Sequence, residues 1–144
     1  MKLEFSKNIT IFIIMNWIDH KLYIEPIQTF IDPNFPVEKA IITHGHADHA
    51  ISGHKKVLAT SQTIDIMKNR YGEKCAETFQ SIEYGKKLKI DDFNITLFPA
   101  GHILGSAQVL IEYNGFKTLI SGDYKTISDN TSQNFELVKC NLFI

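Results

Sequence analysis

Ala40-Ile41-Ile42-Thr43 restricts the fold more than any other stretch: a continuous apolar run with β-branched residues, offering almost nothing to water. Such a run reads as a strand buried on both faces, which needs cover on both sides of its sheet and so an α/β arrangement. It passes straight into His44-Gly45-His46-Ala47-Asp48-His49, so metal-competent side chains begin where the strand ends. Polar residues converging at strand ends are how an α/β scaffold builds a site.

The remaining punctuation predicts more strands than helices. Leu22 to Ile24 and Thr29 to Ile31 read as short strands separated by Glu25-Pro26 and closed by the turn-forming Asp32-Pro33-Asn34. Ser61 to Arg70 has Ile64, Met67 and Tyr71 at helical spacing, with Thr60 or Ser61 to cap it and Gly72 after its end. Cys75 to Gln80 is expected to form a second short helix. Lys87 to Ile90 and Phe93 to Phe98 alternate apolar and polar residues around Asp91-Asp92, the pattern of paired strands. Gln108 to Tyr113 and Phe116 to Ile120 flank Asn114-Gly115, whose tolerance of positive φ makes a tight hairpin turn.

At 144 residues and 44% apolar composition the chain suits one domain with a real core. Fifteen basic residues against sixteen acidic ones leave a net charge of −1, so no global field recruits nucleic acid or an anionic membrane. The apolar run Ile9 to Met15 is too short to span a bilayer, and no small-residue cleavage site follows it before Asn16-Trp17. It reads as a buried strand or a stray extension, with no membrane partner. Cys75 and Cys140 are isolated from each other and from any histidine, which excludes a zinc ribbon and a disulfide framework and suits a reducing cytoplasm.

In His44-x-His46-x-Asp48-His49 the two imidazoles two residues apart in extended chain point to the same side and can share one ion. Asp48 and His49, one step on, can turn toward a second. His102 after Pro99-Ala100-Gly101 and Asp123 after Ser121-Gly122 stand at two further strand ends. His20 lies in a polar turn and His54 just past the cluster, and both read as structural or surface residues.

This pattern resembles the metallo-β-lactamase superfamily. Phe30-Ile31-Asp32-Pro33, Ala40 to His54, Leu58-Ala59-Thr60 and Gly101-His102-Ile103-Leu104-Gly105-Ser106-Ala107-Gln108 are most similar to its nucleic-acid-processing branch. That branch includes messenger-RNA 3′-end processing factors and ligase-associated DNA exonucleases. The resemblance implies the N-terminal part of an αββα sandwich, strand-rich with short helices, and two zinc ions. It assigns His44, His46 and His102 to the first ion, Asp48 and His49 to the second, and Asp123 to a bridge between them. Asp32 would orient a ligand histidine, and Asp48 and Asp123 would act catalytically on an RNA or DNA phosphodiester.

The resemblance also sets an expectation for the domain limits. Residues 1–15 read as an N-terminal extension and 16–144 as an incomplete domain, without the cap and the C-terminal part that supply a last histidine ligand. The second zinc would then bind weakly, and uncovered apolar surface would favour self-association or a complementary C-terminal chain. Three outcomes follow: a zinc-dependent exonuclease-like hydrolase weakened by truncation, a non-catalytic metal-binding remnant or half of a split protein, or a small-molecule metallo-hydrolase.

Overall fold

The computed structural model describes residues 15–144, so the apolar run from Ile9 and the expected extension lie, except for Met15, outside the described residues. Two sheets face each other. The first has six strands in sequence order: β1 (Met15–Ile18), β2 (Lys21–Ile24), β3 (Thr29–Ile31), β4 (Lys39–Ile41), β5 (His54–Ala59) and β6 (Ala76–Ser81). The first two pairings are antiparallel and those from β3 to β6 parallel. The second sheet runs β11 (Leu142–Phe143), β10 (Phe116–Ile120), β9 (Ala107–Tyr113), β8 (Phe93–Pro99), β7 (Lys87–Ile90), antiparallel except for β10 with β11.

The run at Ala40 behaves as its composition requires. Ala40, Ile41, Ile42 and Thr43 are all at most 1% exposed, and the three apolar ones divide between two cores. Ile41 joins Ile24, Ile31 and Leu58 against Ile95, Leu97, Val109 and Ile111 of the second sheet. Ala40 and Ile42 face the other way, with Val57 and Ala59, onto Ile64 and Met67 of helix α1 (Ser61–Tyr71). Each such aliphatic side chain contributes roughly 1.5–3 kcal/mol when removed from water. Alternation along one strand thus binds helix, sheet and sheet into three layers.

Local chemistry accounts for most element ends. The Thr60 side chain accepts from the Thr63 amide to cap α1, and the Gly72 amide closes it on the Lys68 carbonyl. Asn114 (φ 48°) and Gly115 (φ 77°) make the expected tight turn between β9 and β10.

One expectation fails. Cys75 to Gln80 is not a helix: Ala76–Ser81 is β6, paired in parallel with β5 from His54↔Ala76 to Ala59↔Ser81. Its exposed polar residues carry little periodicity, whereas the free edge of β5 offers a row of backbone hydrogen bonds that a short helix would leave unpaired. β5 itself was not foreseen, because Lys55 and Lys56 disguise a strand whose buried apolar residues are only Val57-Leu58-Ala59.

Candidate metal centre

Four strand ends deliver the candidate residues to one rim of the sandwich. β3 leads to Asp32, β4 leads through Thr43 to the 44–49 segment, β8 leads to His102 and β10 to Asp123. A turn in which the amides of His49 and Ala50 both donate to the His46 carbonyl (3.1 and 2.8 Å) folds His49 back toward His44.

The nitrogens converge. His46 Nδ1 lies 3.1 Å from His44 Nε2 and 3.2 Å from His102 Nε2, and Asp123 Oδ2 lies 3.7 Å from both of the latter. Ligands about 2.0–2.1 Å from a tetrahedral zinc stand about 3.3–3.4 Å from one another, so this set fits such an ion. Three ring nitrogens this close suit a central cation far better than three neutral rings sharing protons. Beside them, His49 Nε2 lies 3.5 Å from Asp48 Oδ2 and 3.8 Å from Asp123 Oδ1. Fewer donors meet there, and the Asp48 side chain is 80% exposed.

Asp32 organises the interior of the rim. Its buried carboxylate accepts from the Thr43 amide (2.7 Å) and the Thr43 hydroxyl (2.6 Å), and its Oδ2 lies 2.8 Å from His49 Nδ1. With its proton committed to Asp32, the Thr43 hydroxyl is left as an acceptor for His44 Nδ1, 3.1 Å away. Both histidines thereby keep a proton on Nδ1, and in the neutral ring the lone pair on Nε2 faces the cluster, the state a metal ligand needs.

Electrostatics set the two rings apart. Burial, the largest influence, together with the neighbouring His49 pushes the His44 pKa down to about 4, so its ring is neutral at pH 7. His49 moves the other way because its hydrogen bond to Asp32 favours the charged ring. A hydrogen bond to its own backbone keeps Asp48 ionised below the usual carboxylate range.

The other two histidines stay apart from this cluster. His20 sits with Asp19 in the exposed β1–β2 turn, both at positive φ. His54 is 1% exposed, and its Nδ1 accepts from the Val37 amide at 3.3 Å. Supporting residues escaped the reading of the sequence. Thr43 looked like the end of an apolar strand, and Ser106, whose Oγ accepts from the amides of His102 (3.0 Å) and Ile103 (3.2 Å), looked like loop. A polar residue closing an apolar run was the available signal for Thr43; for Ser106 it was membership of the Gly101 to Gln108 stretch that carries the resemblance.

No family model matches the chain. Among characterised proteins, it is 33% identical over 108 residues to a probable DNA ligase of Opitutus terrae, covering 74% of this chain and 10% of the relative. It is 30% identical over 106 residues to an RNase J-like protein of Methanocaldococcus jannaschii (60% and 25%). It is 29% identical over 80 residues to cleavage and polyadenylation specificity factor subunit 3 of Dictyostelium discoideum (55% and 10%). The chain thus spans a quarter or less of the length of these relatives. A solved structure assigned as a metal-dependent hydrolase from Parabacteroides distasonis shares the fold, with TM-score 0.55 and 18% identity over 78% of this chain and 61% of that one. With two facing sheets and a histidine-aspartate rim, the chain is similar to proteins of the metallo-β-lactamase nuclease family.

Proposed function

We propose that this chain binds zinc at the rim and hydrolyses phosphodiester bonds in RNA or DNA. The reading is carried by the Asp123 carboxylate, whose Oδ2 faces His44 and His102 while its Oδ1 faces His49. One carboxylate with an oxygen toward each of two donor sets is suited to joining two cations. His44, His46 and His102 would hold the first ion, Asp48 and His49 the second, and Asp123 both, with Asp32 orienting His49. Ions so held would supply an acidified water and would neutralise charge developing on a phosphoryl oxygen. Asp48, at the solvent side, and Asp123 would accept hydrogen bonds from that water and so orient it. The names of the similar RNase J-like and polyadenylation-factor proteins support a nucleic-acid substrate.

A second reading is favoured by the smaller donor set around His49, whose Nε2 meets only Asp48 (3.5 Å) and Asp123 (3.8 Å), with the Asp48 side chain 80% exposed. In it the first ion binds tightly, the second weakly, and the chain holds metal without turnover. The unpaired Cys75 and Cys140 support a reducing compartment, and exposed Ile127, Leu137 and Phe143 support association with a second copy or a complementary chain.

Elemental analysis of the purified chain, followed by cleavage of end-labelled single-stranded RNA and DNA by the same sample, tests both readings. Two zincs with cleavage that His46→Ala or Asp123→Asn abolishes is the expected result. One zinc without cleavage selects the second reading, and no zinc uptake refutes both.

A further inference from the structure

Helix α1 touches both loops that carry the first donor set, one near each of its ends. Near its C-terminus, Arg70 Nη1 donates to the Gly45 carbonyl at 2.7 Å. Gly45 is the residue between His44 and His46, so this bond fixes the peptide that separates two candidate ligands. One turn earlier, Ile66 presses on the same glycine: a Cβ added to Gly45 would lie 2.7 Å from Ile66 Cγ2 and 3.0 Å from Ile66 Cβ. Residues 66 and 70 share a helix face, so grip and contact act together.

At the N-terminus, the hydroxyls of Thr60 and Thr63 both donate to the Gly105 carbonyl, at 2.7 and 3.1 Å. Gly105 belongs to the loop of His102, and its packing leaves no space either, since an added Cβ would lie 2.7 Å from Gln62 Cβ. The two loops come from different sheets and are not adjacent in sequence, yet His46 and His102 must meet within 3.2 Å. A hydrogen-bonded helix is the stiffest element available to set that separation.

We propose that α1 is a spacer for the metal centre and that Arg70 is a positioning residue, holding His44 and His46 in register with His102 through the Gly45 carbonyl. The inference rests on the zinc-site reading above. Arg70 itself is exposed, apart from its ring contact with Tyr71 at 5.5 Å, so no core packing depends on it. A planar guanidinium with fixed donors suits such a clamp, whereas a flexible ammonium holds the carbonyl less firmly.

The test compares wild type, Arg70→Met and Arg70→Lys, each metal-free and titrated with cobalt(II), whose visible bands report coordination geometry. The Met variant is expected to bind cobalt about tenfold more weakly, as loss of an outer partner does at other metal sites, with shifted bands. The Lys variant should recover part of both, and the melting temperature of the metal-free chain should change little. Ring-nitrogen NMR of His44, His46 and His102 in the metal-free proteins should show shifts in the Met variant. Unchanged affinity, bands and ring resonances in Arg70→Met would overturn the proposal, as would losses that simply follow a lower melting temperature. If wild type takes up no cobalt, the zinc-site reading fails, and the ring resonances alone decide whether Arg70 positions the rings.

Discussion

Asp32→Asn is the sharpest perturbation of this rim, because it changes one atom and leaves the shape in place. The carboxylate accepts two hydrogen bonds from Thr43 and lies 2.8 Å from His49 Nδ1. In the variant, the amide oxygen can still accept from the Thr43 backbone, but the amide nitrogen can only donate. The Thr43 hydroxyl can rotate to accept. His49 cannot stay as it is: its proton must leave Nδ1 for Nε2, the nitrogen that faces Asp48 and Asp123. Three bonds to a charged acceptor, each worth about 1.5–3 kcal/mol, become neutral ones of about 0.5–1.5, so stability should fall by about 3–4.5 kcal/mol. Backbone strain adds nothing, since Asp32 sits at φ 44°, where asparagine is equally at home. Loss of the lone pair on His49 Nε2 should weaken the second ion about 10- to 100-fold, and the first far less. Nitrogen-detected NMR of the imidazoles reports the tautomer, and competition with a chromogenic chelator reports both affinities. A His49 ring still protonated on Nδ1, with both affinities unaltered, would refute the argument that Asp32 sets the tautomer.

Two further outcomes follow from packing and titration. Gly45→Ala places a methyl group 2.7 Å from Ile66 Cγ2, so overpacking of about 1–3 kcal/mol should lower the melting temperature by several degrees, and an unchanged melting curve would show that α1 yields freely there. Burial holds the His54 pKa below its ordinary 6.5, so between the two values the unfolded chain binds the proton and the folded chain does not. His54 therefore contributes fully above about pH 6.5 and loses stability as pH falls toward its folded value. Urea unfolding at pH 7.5 and 5.5 should show a smaller difference for His54→Gln than for wild type, and equal differences would exclude this residue as a source of acid sensitivity.

Residue types and order alone located the 44–49 cluster, His102 and Asp123, because strand-end placement and the two-residue alternation of extended chain are local properties. The same locality explains the hairpin at Asn114-Gly115, the helix at Ser61–Tyr71, and the failure at Ala76–Ser81, where pairing with β5 overrode a segment of weak preference. Tertiary structure alone brought His46 to His102 across 56 residues and turned one Asp123 oxygen toward each donor set. It also revealed Thr43 relaying from Asp32 to His44 and Arg70 gripping Gly45. These contacts depend on the crossing of two sheets and the length of one helix, so no periodicity in the chain encodes them. Which side chains could bind a metal is written residue by residue; their geometry exists only once both sheets have packed.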